Sequence, residues 1–191
     1  MGEVIEISII SKDENLLMKL LSFISLQIKD DTTKKIIEVM DNWQYENVEK
    51  IESIELAEAF IGNKIVCITE ENANGQVGVH IEPIADLLLY NMWFSLEGLL
   101  SDAEYAKLID EFVGYIFNCE GMKNIIIAAI GKETIFEYLG DSRTTISEAH
   151  NIDVWIIDKK DYLNNILEKY KMLASIYYGD IHKEMLVLSK L

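Results

Sequence analysis

Only one arginine and one proline occur in the 191 residues, and cysteine and histidine are scarce, at two and three. Each scarcity narrows the chemistry. Arg143 is alone among seventeen basic residues, so one side chain only can make a forked, bidentate grip on a carboxylate or phosphate. Cys67 and Cys119 stand in apolar segments, Ile-Val-Cys-Ile and Tyr-Ile-Phe-Asn-Cys, which predicts two buried free thiols rather than a disulfide. No Cys-x-x-Cys, His-Glu-x-x-His or acidic EF-hand loop occurs, so no metal centre has a local signature and no metal or other cofactor is expected. His80, His150 and His182 are far apart and could share a zinc ion only if the fold brought them together. There is no Gly-x-Gly-x-x-Gly and no Gly-x-Ser-x-Gly elbow. Ile130-Gly131-Lys132-Glu133 follows an apolar run as a phosphate loop would. Its pattern fails at Ile126, where the first glycine belongs, and at Glu133, where a magnesium-holding hydroxyl belongs. No segment approaches the ~18 uncharged apolar residues of a membrane-spanning helix. The first residues lack the basic region and long apolar run of a signal peptide, and no glycosylation acceptor occurs, so a cytoplasmic location is expected.

Acid is plentiful instead. Thirty-three acidic residues against seventeen basic ones give a net charge of −16, while half the chain is hydrophobic. That hydrophobic share is enough to build a sizeable core, and the length suits one domain over residues 1–191. The surface field repels nucleic acid and anionic lipid and attracts basic partners. The densest acid lies in Glu38–Glu58, with seven carboxylates against Lys50 alone, a local charge of −6. Its last five glutamates recur every third residue. On a helix that spacing slips ~60° per step and sweeps about 240°, too wide for a single stripe.

The stretch Met122–Ile130 organises the rest. From Ile125 it is apolar at every position, β-branched in large part and closed by Gly131, which predicts a central strand covered on both faces. Further strands are expected at Val4–Ile10, Lys34–Met40, Leu87–Leu96 and Ile152–Ile157. Residues 64–81 read as a hairpin around Asn74-Gly75, with Pro83 ending or edging its second strand. Helices are predicted over Glu14–Ile28 with Ser11 and Asp13 as caps, over Glu55–Phe60 after Ser53, and over Ser101–Cys119, where Ser101 and Glu104 make a capping box. Shorter helices at Glu133–Leu139 and Asp158–Tyr170 flank a polar loop at Asp141–Asn151. Met172–Tyr178, Gly179-Asp180 and Met185–Leu188 suggest a closing hairpin. Strands and helices intermix without strict alternation and without a linker or repeat, so the expected class is α+β: a mixed, mainly antiparallel sheet with helices packed on it.

Two candidate sites emerge. Trp43 and Tyr45 lie inside the acidic stretch with Glu46, Glu49 and Glu52, an aromatic anchor ringed by carboxylates of the kind that grips a basic protein face. The competing interpretation of the same residues is that Trp43 packs into the core and the glutamates are its solvated side. The second candidate, that of a small-molecule-binding protein or an enzyme, is a pocket near Gly131 and Arg143, with Ser142 and Thr144 offering hydroxyls to an anion. A third possibility is a subunit of a larger assembly. Carboxylate pairs are too numerous to single out any acid–base couple. In size and charge the chain resembles bacterial toxin-neutralising immunity proteins. That resemblance rests on no motif and implies stoichiometric binding of one partner protein; it leaves the question of catalysis open.

Overall fold

The computed structural model describes residues 4–13, 15–27, 34–72, 75–96, 101–118, 124–139, 145–158, 177–182 and 185–190; for residues 27, 72, 96, 134–139, 145–150 and those from 158 on, the description is of the backbone alone. In order, the elements are β1 (Val4–Ser11), α1 (Leu16–Gln27), β2 (Lys34–Met40), β3 (Glu49–Lys50), α2 (Ile54–Glu58), β4 (Ile65–Asn72) and β5 (Gly75–Ile84). They continue with β6 (Leu87–Leu96), α3 (Asp102–Asn118), β7 (Ile125–Leu139), β8 (Thr145–Asp158), β9 (Tyr177–His182) and β10 (Met185–Lys190). Among the described residues the ten strands form one sheet in the order β3-β2-β4-β5-β6-β1-β7-β8-β10-β9. Every pairing among them is antiparallel. The class is α+β.

Alternation along the strands decides the two faces. Ile5, Ile7 and Ile9 of β1, Val77, Val79 and Ile81 of β5, and Leu88, Tyr90, Met92 and Phe94 of β6 all point to one side. There they meet Leu16, Leu17, Leu20, Leu21, Phe23 and Ile24 of α1 and Leu108, Phe112 and Ile116 of α3. Phe23 and Phe112 join the two helices edge to face, 5.1 Å between ring centres. Each large side chain fully buried here contributes about 1.5–3 kcal/mol. The helices begin where polar side chains satisfy their first amides. Ser101 Oγ accepts the Glu104 N–H at 3.3 Å while Glu104 accepts the Ser101 N–H at 2.9 Å, the reciprocal box read from the sequence. Ser53 Oγ accepts the Leu56 N–H at the head of α2. Asp13 accepts the Asn15 N–H before α1, and Ser11 ties that turn to the Asn124 carbonyl.

The opposite face carries a second apolar cluster, Ile10, Leu87, Ile127, Ala129, Ile152, Trp155 and Ile157. Ile125–Ile130 therefore lies between two packed layers, which is why it is apolar without a period.

Three expectations are corrected. Glu133–Leu139 is strand, the continuation of β7 paired with β8, and not a short helix. Thr134, Ile135, Phe136 and Tyr138 favour a pleated backbone, and the long partner strand decides the outcome. Glu133 itself takes a left-handed turn (φ 48°) where the register slips between Gly131 and Ile135, a bulge in the strand. The expected loop at 141–151 is strand from Thr145 onward, so Ile152–Ile157 is only the second half of β8. Gly179-Asp180 lies inside β9, paired with β10, and is not the turn of the closing hairpin. The expected helix over 158–170 lies outside the described residues beyond Asp158, as does Cys119.

Candidate functional site

Residues 41–48 connect β2 to β3, and the sequence dictates their shape. Asn42 accepts the Gln44 N–H through its side chain at 3.0 Å and donates to Glu46 Oε2 at 2.7 Å. Asn47 donates to Asp41 Oδ2 at 2.6 Å, and the Asp41 N–H returns to the Glu46 carbonyl at 3.2 Å. Tyr45 (φ 60°) and Asn47 (φ 50°) are both left-handed. Asparagine tolerates that conformation; tyrosine does so at a cost of about 1–2 kcal/mol. The result is a stiff loop that turns the Tyr45 ring outward.

Trp43 leaves the loop in another direction. Its indole N–H donates to Glu82 Oε2 at 2.9 Å, and its ring meets His80 edge to face at 4.9 Å. Both partners belong to β5, on the face opposite the helices. The hairpin therefore curls over one end of that face and is pinned there. Trp43 remains 40% exposed and Tyr45 66%, with Val48 and Leu56 also open to solvent. Glu46 accepts from Asn42 within the loop, Glu49 stands on β3 opposite Val39, and Glu52 follows that strand; all three are exposed. Burial of Trp43 in the core, the competing interpretation, does not describe this geometry. Lys64 bridges Asp41 at 3.1 Å and Glu49 at 3.8 Å from outside the loop. The Asn47 amide and Lys64 together hold the Asp41 carboxyl below its ordinary range, and Asp41 in turn holds the Lys64 ammonium above its own. Between Trp43, Gln44, Glu82 and Pro83 lies a hollow of about 220 Å³.

Strand register lines up a second polar group. Glu38, Cys67, His80, Asn91 and Ser8 are successive partners across β2, β4, β5, β6 and β1, so all five share the face on which Trp43 sits. Cysteine, histidine and asparagine side by side invite a nucleophilic reading. The electrostatics oppose it. Burial, with Glu38 and Glu82 nearby, pushes the Cys67 thiol up to about 11, and burial pushes the His80 imidazole down to about 4. Both groups rest neutral at pH 7, whereas a cysteine nucleophile needs a stabilised thiolate.

The three histidines do not converge. His80 is on β5, His150 on β8 and His182 on β9, and three strands separate the first from the second. No cluster of metal-ligating side chains occurs among the described residues. Gly131 lies within β7, paired with Glu6 on one side and Ile152 on the other, instead of at a strand end, because β7 runs on to Leu139. Ser142, Arg143 and Thr144 lie outside the described residues.

Of the residues singled out from sequence, Trp43, Tyr45, Glu46 and Glu49 come together in one hairpin and its second strand, and Glu52 follows two residues later. His80, Glu82 and Lys64 complete the site and were not foreseen. The available signal was the alternation of β5, which puts His80 and Glu82 on one face. No protein-family model, curated protein or solved structure matches the chain.

Proposed function

We propose that the chain is an acidic binding protein that engages one basic partner protein through the 41–52 hairpin. The observation that carries this reading is the exposure of Trp43 and Tyr45 on a loop stiffened by its own hydrogen bonds, with Glu46 in the loop and Glu49 and Glu52 exposed on the strand and turn that follow it. Rigid aromatic side chains lose little entropy when a partner covers them, and they make up most interface hot spots. The surrounding carboxylates and the net charge of −16 speed encounter with a basic surface and repel nucleic acid. Such a partner is itself a nucleic-acid-handling protein, and neutralising a toxin of that kind in the cytoplasm is the role that fits size and charge together.

The test is capture from a lysate of the source cells with the tagged protein, eluted by a salt step and identified by mass spectrometry. One basic protein at near-stoichiometric yield is expected with the wild type and is expected to be lost with the Trp43→Ala/Tyr45→Ala double variant. Equal recovery with both proteins would remove the hairpin from the interface. Arg143→Ala is expected to leave capture unchanged; loss of capture there would move the interface to Arg143. The small-ligand reading near Gly131 and Arg143 predicts instead a ligand response that Arg143→Ala abolishes and that salt hardly changes.

A further inference from the structure

The hollow at the base of the hairpin has features that exposed carboxylates alone do not supply. One wall is the Trp43 indole, and Glu82 stands beside it with one carboxylate oxygen engaged by that indole at 2.9 Å. Ile65 and Pro83 give it an apolar floor, while Gln44 and Asp41 complete the rim. No cationic side chain lines it. At about 220 Å³ it is smaller than the roughly 300–1,000 Å³ of small-molecule pockets and is sized for a single side chain.

We propose that this hollow receives one arginine side chain of the basic partner, its guanidinium against the Trp43 ring and paired with Glu82, its methylene stem on Ile65 and Pro83. The inference rests on the partner-binding reading above and names the group that the site selects. Arginine fits better than lysine on two grounds. A planar guanidinium stacks on an indole and is more weakly hydrated than an ammonium, so it leaves water at lower cost. It also brings several N–H donors in one plane, which suits the second oxygen of Glu82 and the side-chain oxygen of Gln44 together. Asp41, whose oxygens already serve Asn47 and Lys64, shapes the rim while Lys64 balances its charge, so Glu82 is the carboxylate that meets the guanidinium.

The probe is Nα-acetyl-arginine methylamide, titrated into the full chain and followed through the indole N–H signals in a proton–nitrogen correlation spectrum. The chain has three tryptophans, and Trp43→Phe assigns the relevant signal. The neutral isostere Nα-acetyl-citrulline methylamide is the control. The Trp43 signal is expected to shift saturably with the arginine compound and not with citrulline. Glu82→Gln, which can still accept from the indole, is expected to weaken the response about tenfold. Equal responses to arginine and citrulline, or an undiminished response in Glu82→Gln, would overturn the proposal. The wild-type comparison needs no variant to fold. Partner capture without an arginine response refutes the hollow and leaves the hairpin reading intact; an arginine response without partner capture does the reverse.

Discussion

Cys67 and His80 face each other across β4 and β5, each kept neutral by burial, and both have measurable consequences. A thiol at about 11 instead of 9.0 carries about a hundredfold less thiolate at pH 8. In a Cys119→Ser background, alkylation of Cys67 by iodoacetamide is expected to be slower by about that factor in the folded chain than in urea. Equal rates would show that the thiol is open. His80 binds its proton near pH 4 when folded and near 6.5 when unfolded. Between those values the unfolded chain holds the extra proton, so stability falls as pH drops from about 6.5 to 4 and is independent of this group above 6.5. The loss is about 2–3 kcal/mol by pH 4.5, at 1.36 kcal/mol per pH unit of separation. Urea unfolding at pH 7.5 and 4.5 is expected to show that extra loss in the wild type and not in His80→Gln.

The elements divide into those decided locally and those decided by their partners. α3 and α2 are legible in the sequence because Ser101, Glu104 and Ser53 satisfy the first amides within their own turns. Leu87–Leu96 is legible because its run of aromatics and leucines suits a strand buried on the helix side. Glu133–Leu139 is not, since its glutamates and hydrophobics serve either backbone and pairing with β8, from Thr145 onward, makes the choice. The site divides the same way. Trp43 and Tyr45 stand out as aromatics in an acidic run, whereas Glu82 reaches Trp43 from 39 residues away and depends on sheet register. Two substitutions test elements directly. Phe112→Ala removes a fully buried ring between α3 and α1 and is expected to cost about 3–5 kcal/mol in urea unfolding. Tyr45→Gly relieves a left-handed tyrosine at the price of a freer unfolded chain, two effects of about 1 kcal/mol each and opposite sign. Its stability is expected to stay within about 1 kcal/mol of the wild type while partner binding falls. A large loss of stability would make the ring structural.

At the scale of the whole molecule, one antiparallel sheet buries its central strands between two apolar layers and leaves the acidic hairpin at one end of the face away from the helices. The net charge of −16 surrounds that hairpin with a long-range field, and Trp43 and Tyr45 give it short-range grip. The two contributions separate kinetically, because exposed charge acts on the association rate and a desolvated anchor acts on dissociation. The most direct measurement is therefore the association and dissociation rate of the captured partner across ionic strength. It compares the wild type with Glu46→Gln/Glu49→Gln/Glu52→Gln and with Trp43→Ala. Association of the wild type is expected to slow by about tenfold or more as salt rises from low to high, with the glutamine variant already slow at low salt. Trp43→Ala is expected to leave association near the wild-type rate and to speed dissociation at least about tenfold. Association indifferent to salt, together with wild-type rates in both variants, would contradict a docking surface on this hairpin.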